Sequence, residues 1–167
     1  MIPISPALSG GLIWSRNGCG YEVKRNDRVV ASLRKTSFWS SDYHAESGCG
    51  NWRFFRSGML GNVEILDASN SCVAAFKPSW GGPGTLTFAD GQSFLVVSHG
   101  CWRPVWKVTT ADGEVALQIR TRERTIELEK QTDLPENRWL LLVLFVFYRM
   151  QQAEEDGAVA AVVAAIS

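Results

Sequence analysis

The chain has 167 residues, is 46% hydrophobic and balances 17 Lys and Arg against 17 Asp and Glu. That length suits one domain with a sizeable core, and zero net charge gives no global reason to expect a nucleic acid or an acidic substrate. Seven Trp and eight Phe point to a well-filled interior. Cys19, Cys49, Cys72 and Cys101 never fall at the spacing of a zinc or redox motif, and a chain this large needs no disulfide framework. Four reduced thiols in a cytosolic protein is the reading favoured over a structural disulfide. The opening Met-Ile-Pro-Ile-Ser-Pro has neither the basic start nor the unbroken apolar run of a secretory signal.

Residues 1–20 read as an extended lead-in, with at most one short edge strand at Leu12-Ile13-Trp14. From Tyr21 the pattern is β. Tyr21 and Val23 alternate with Glu22 and Lys24, Asn26-Asp27 turns the chain, and Val29, Ala31 and Leu33 alternate with Val30, Ser32 and Arg34. Further strands are expected at Tyr43–Ser47, Trp52–Arg56, Asn62–Leu66, Cys72–Phe76, Thr85–Phe88, Ser93–Ser98, Val105–Thr109, Glu114–Arg120 and Thr125–Glu129. Asp90-Gly91 and Asp112-Gly113 are signals for two-residue type I′ hairpins. Asp67 to Ser71 is a longer polar turn, and a parity flip between Ile119 and Ile126 requires a reversal at Thr121–Arg124.

After Asp133, a plausible helix cap, Pro135 and Glu136 suit a first helical turn. Trp139 to Tyr148 then runs without a polar position. A helix here, expected over about 135–152, has no wet face and must be surrounded. It reaches about 15 Å, half of a ~30 Å hydrocarbon layer, which favours a protein sheath over lipid. Residues 154–167 form a tail or short extra element, for which a rim-packed helix, a last strand and a frayed end all stay open. Strands closed around the helix would satisfy it on every side and remove exposed sheet edges. The fold class is therefore mainly β: a closed antiparallel barrel of about twelve strands, residues 21–153, around a buried C-terminal helix.

Trp52-Arg53-Phe54, Val63-Glu64-Ile65 with Asp67, Ala75-Phe76, Gly84-Thr85-Leu86, Asp90-Gly91, Asp112-Gly113 and the terminal apolar helix follow one another in an order that resembles the tubby C-terminal-like superfamily. That group includes the phospholipid scramblases and LURP-one-related proteins. The resemblance runs from about Tyr21 to Gln152 and implies the same helix-threaded barrel. It also implies a non-enzymatic binding module working at membrane surfaces, since tubby domains bind phosphoinositides through a basic patch.

For chemistry the sequence offers little. Gly81-Gly82-Pro83-Gly84 lacks the Lys-Ser/Thr ending of a phosphate loop and reads as a wide turn. His44 near Asp42 and His99 beside Ser98 have no nucleophile elbow and no partner at metal-ligand spacing, so neither catalysis nor a cofactor or metal is expected. The basic bias between Arg16 and Lys35 is the better candidate. Lys24, Arg25, Arg28, Arg34 and Lys35 could face anionic lipid headgroups, at about 1 kcal/mol each, with Phe38-Trp39 entering the interface. The bland alternative is a solvated hairpin face. Arg120, Arg122 and Arg124 are offset by Glu123, Glu127 and Glu129 and read as a salt-bridged edge. The partners implied are an anionic membrane surface, met peripherally from the cytoplasm, or a protein bound through Trp14, Trp39, Trp80 or Trp102. Nucleic acid and a membrane-crossing helix are not expected, and a membrane hairpin of Trp139–Tyr148 with Ala158–Ile166 fails on length and on its charged linker.

Overall fold

The computed structural model describes residues 11–18, 20–80, 83–128 and 134–166. Twelve strands follow in order: β1 (Leu12–Asn17), β2 (Gly20–Arg25), β3 (Arg28–Lys35), β4 (Tyr43–Ser47), β5 (Gly50–Ser57), β6 (Asn62–Asp67), β7 (Cys72–Pro78), β8 (Gly84–Phe88), β9 (Ser93–His99), β10 (Val105–Thr110), β11 (Val115–Arg120) and β12 (Thr125–Leu128). Each pairs antiparallel with its sequence neighbour, and β12 pairs with β1 to close the barrel. Alternate residues point inward, so Val23, Leu33, Ala45, Phe54, Ile65, Leu86, Val108 and Ile119 have no exposed surface. The opposite faces are polar, with charges such as Glu46, Arg53, Glu64, Lys107 and Glu127 on most strands but only Thr85 and Thr87 on β8.

The barrel is threaded by α1 (Glu136–Ile166), whose buried part runs from Trp139 to Gln152. Leu142 through Tyr148 are all 0% exposed, so the barrel wall is the solvent of a helix with no polar stripe. Phe145 lies 5.0 Å from the Phe76 ring and Phe147 stacks 5.1 Å from Tyr21, wall against plug. Gly84 makes room for one of these contacts: a Cβ there would sit 2.0 Å from the Phe76 ring.

Several expectations need correction. The lead-in holds a full strand, and β1 is no edge, because it bonds both β12 and β2. Trp14 is a core residue, 8% exposed, its indole donating to the Arg120 carbonyl at 3.3 Å. The helix does not stop near Gln152; it continues to Ile166 as one element, which removes the last-strand reading and the membrane hairpin. Gly157 costs a helix only about 1 kcal/mol, and the Ala-rich run after it is strongly helix-forming. Asp133 and Glu129, together with Cys19, Gly81 and Gly82, lie outside the described residues.

The turns also differ in detail. Only Asn26 (φ 48°) and Asp27 (φ 62°) both take positive φ, as a type I′ turn requires. At Asp90-Gly91 and Asp112-Gly113 the glycine alone does so (φ 91° and 87°). Gly91 N–H donates to Phe88 and Phe88 N–H donates to Gln92, the pattern of a three-residue loop. Asp67–Ser71 is built the same way with Asn70 at φ 62°, and the Asp67 carboxylate accepts the Ser69 and Ser71 N–H groups.

The meander makes the two barrel ends unlike. Loops joining an even-numbered strand to the next strand are two to four residues long and lie where α1 enters, with Arg138 donating to Asp90 at 2.7 Å and to Gln92. Loops after odd-numbered strands lie where α1 leaves. Three of these, 36–42, 79–83 and 100–104, are longer than any strand-to-strand turn at the entry, while 58–61 and 121–124 match the longest of them.

Candidate functional site

The hairpin cations do not form one patch. Lys24 and Arg34 both reach Glu22, at 3.5 and 3.8 Å, on the outer wall. Glu22 also accepts a 2.7 Å hydrogen bond from Asn17, and that bond, ahead of the two cations, holds its carboxyl below the ordinary range. Lys35 turns to the barrel mouth, bonding Glu155 at 2.8 Å beside the Tyr43 ring. Arg25 and Arg28 face each other at the tip of the hairpin, at the entry end, remote from Lys35. What β2 and β3 supply is thus one lysine at the exit and two arginines at the opposite pole.

The exit end carries the most distinctive surface of the molecule. The most exposed large apolar side chains are Phe38 (80%), Trp39 (92%), Met59 (101%), Leu60 (81%), Trp80 (103%) and Trp102 (96%). All lie in the loops after β3, β5, β7 and β9, and therefore at this one end. Phe38 and Trp39 form a T-shaped pair 5.2 Å apart. The entry turns carry none of this; they are built from Asn, Asp, Gly, Ser and Ala with Cys49, Gln92 and Glu114. Charge follows the same axis. Arg103, Arg122, Arg124 and Lys77 stand at or near the exit without an ion-pair partner among the described residues, against Asp42 and Glu123. Asp27, Asp67, Asp90, Asp112 and Glu114 stand at the entry turns, against Arg25 and Arg28 at the tip of the β2–β3 hairpin.

A charged collar grips α1 as it leaves. Arg16 of β1 pairs Glu154 at 2.9 Å, Lys35 of β3 pairs Glu155 at 2.8 Å, and Arg56 of β5 approaches Asp156 at 3.9 Å. Consecutive helical residues are about 100° apart, so three neighbouring acids fan out to three separate strands. Burial alone would raise the Glu155 carboxyl, but hydrogen bonds from Lys35, Tyr43 and Gln151 outweigh it and bring the value below the ordinary range. Just inside, burial pushes the Tyr148 and Tyr21 hydroxyls up to about 12. Arg149 covers the Phe76 ring at 4.8 Å, and burial lowers its pKa.

Elsewhere the surface is plain. His44 lies on the outer face of β4, and His99 ends β9, both exposed. Among the described residues no cluster of His, Cys, Asp or Glu could hold a metal, and Cys49, Cys72 and Cys101 are free. A shallow hollow of about 370 Å³ outside β7 and β8 is lined by Cys72, Ala75, Lys77 and Thr87 among others, with no histidine or carboxylate. Arg120 pairs Glu127 at 3.0 Å as expected, yet on a closed wall rather than a sheet edge.

Sequence reasoning found Phe38-Trp39, Trp80 and Trp102 but missed Met59-Leu60 and the common location of all six. The signal was available in strand parity: in a meander, every second connection falls at the same end. By architecture, then, this is an antiparallel barrel threaded by its own C-terminal helix, with an aromatic rim around the point of exit. No family model, curated protein or solved structure matches the chain.

Proposed function

We propose that this chain is a non-enzymatic binding module of the tubby-like or scramblase-like kind, docking exit end first on anionic membrane surfaces as a peripheral cytoplasmic protein. The observation behind this reading is the rim of exposed aromatic loops confined to one pole. Trp prefers the boundary between headgroups and hydrocarbon, where its ring is buried and its N–H stays wet. Arg103, Arg122, Arg124 and Lys77 around the same pole, without an ion-pair partner among the described residues, suit a negative surface, at about 1 kcal/mol each. The acidic entry turns would then point away from the lipid. No described helix is long and apolar enough to cross a membrane. A soluble adaptor is the second reading, favoured by the exposed Phe38–Trp39 pair. It ranks lower because the apolar tips are divided among four loops.

The test is flotation with phosphatidylcholine vesicles, with and without phosphatidylserine or phosphoinositides, at low salt. Binding to the anionic vesicles is expected, weakening as salt rises. The double variant Trp80→Ser/Trp102→Ser should lose at least about tenfold, the equivalent of about 1.4 kcal/mol, with an unchanged unfolding midpoint. Arg25→Glu/Arg28→Glu, at the other pole, should bind normally. Absence of any partitioning at low salt refutes the reading.

A further inference from the structure

We infer that the part of α1 beyond the collar, residues 157–166, enters the bilayer end-on, so that the barrel stands upright on the membrane with its axis along the normal. This rests on the membrane-docking reading above and adds a second element to it. The helix is unbroken from the barrel interior to Ile166. Its last ion pairs with the strands are at Glu154, Glu155 and Asp156. From Gly157 to Ile166 the sequence is Gly, Ala, Val and Ile only, without a polar position.

A helix apolar on every side has to be enclosed. Up to the collar the strands enclose it; the collar's cations, Arg16, Lys35 and Arg56, stand within the last two residues of β1, β3 and β5, and beyond it Gly157 and Ala165 are exposed. At about 1.5 Å per residue the remaining segment reaches about 15 Å, about the depth of one leaflet of a ~30 Å hydrocarbon core. The surroundings of the exit favour lipid over a folded partner. Four separate loops ring the helix, each tipped with Trp, Phe, Met or Leu at nearly full exposure, and they form no single groove for a protein to fill. A ring of Trp and Phe with Arg side chains around an apolar rod is the arrangement that headgroups, interface and acyl chains each satisfy in turn.

The experiment is hydrogen exchange by mass spectrometry on the full chain, alone and with phosphatidylcholine–phosphatidylserine vesicles. The end turns of an unsupported helix open readily in water. Vesicles should therefore slow exchange across 157–166 and the loops 36–42 and 100–104, but not at the entry turns 26–27 and 111–113. Val162→Asp/Val163→Asp should weaken vesicle binding about tenfold at an unchanged melting temperature. Vesicle binding without slowed exchange at 157–166 overturns this inference while leaving rim docking intact. No vesicle binding overturns both. Slowed exchange at 157–166 without vesicles, growing with protein concentration, assigns the segment to a second copy and also overturns it.

Discussion

Replacing Phe145 by Ala tests whether the helix is held on all sides. Phe145 is 0% exposed. Its ring lies 5.0 Å from Phe76 of β7, 6.2 Å from Phe54 of β5 and 6.0 Å from Tyr148 of the helix itself. Phe→Ala in a core costs about 3–5 kcal/mol, and more when the surroundings cannot collapse into the void. Here the staves of a closed barrel are hydrogen-bonded to neighbours on both sides, so the wall cannot move in. The expected loss is about 4–5 kcal/mol, part of it the edge-to-face contact with Phe54 at about 0.5–1.5 kcal/mol. For a chain of this size that lowers the melting temperature by about 8–20 °C. Urea titration followed by circular dichroism gives the number, with Trp80→Ala as the surface control, expected within about 0.5 kcal/mol of the parent. A loss below about 1 kcal/mol for Phe145→Ala would mean that the ring is not enclosed and that the barrel-and-plug account of stability is wrong.

Two further predictions concern the wall and the collar. Gly84→Ala places a methyl 2.0 Å from the Phe76 ring and 2.9 Å from the Lys77 carbonyl. It should cost about 1–3 kcal/mol by overpacking, and Phe76→Leu in the same chain should recover part of that; an unchanged urea midpoint for the single variant would show that the wall gives way there. Glu155 titrates below its ordinary value of 4.5 in the folded chain, so its contribution is present above that pH and is lost as pH falls through the lowered folded value. Glu155→Gln should therefore be less stable than the parent near neutrality, with the gap closing in acid. Parallel melting-temperature curves for the two proteins across that range would contradict the assignment.

The barrel was legible because its signals are local and repeated. Alternation at Tyr43–Ser47 or Asn62–Leu66 needs only a half-buried strand, and the uninterrupted run from Trp139 to Tyr148 excludes a surface helix. Strand β1 was hidden for an equally physical reason: Pro3, Pro6 and Gly10-Gly11 precede it and Gly18 follows it, and its pairing depends on residues at the far end of the chain. The helix was cut short because Glu154-Glu155-Asp156-Gly157 looks like a stop, whereas those acids are bound by β1, β3 and β5. The basic hairpin does not make one patch because closeness in sequence is not closeness in space. Two-residue turns send Arg25 and Arg28 to one pole, while Lys35 ends its strand at the other. The aromatic rim spans residues 38 to 102 and becomes visible only once the direction of every strand is counted.

The join between β1 and β12 sets the order of assembly. It is short, with Leu12 opposite Ile126 and Ile13 opposite Thr125, reinforced by Trp14 bonding to Arg124 and, 106 residues away in sequence, to Arg120. A finished cylinder cannot be threaded by a helix, so some join has to stay open until α1 is in place, and this one has the fewest rungs and the greatest separation in sequence. Folding then waits on the most distant pairing in the chain, which places it among slow, millisecond-to-second folders. The same two rungs are where the cylinder would part first if the helix were ever drawn out.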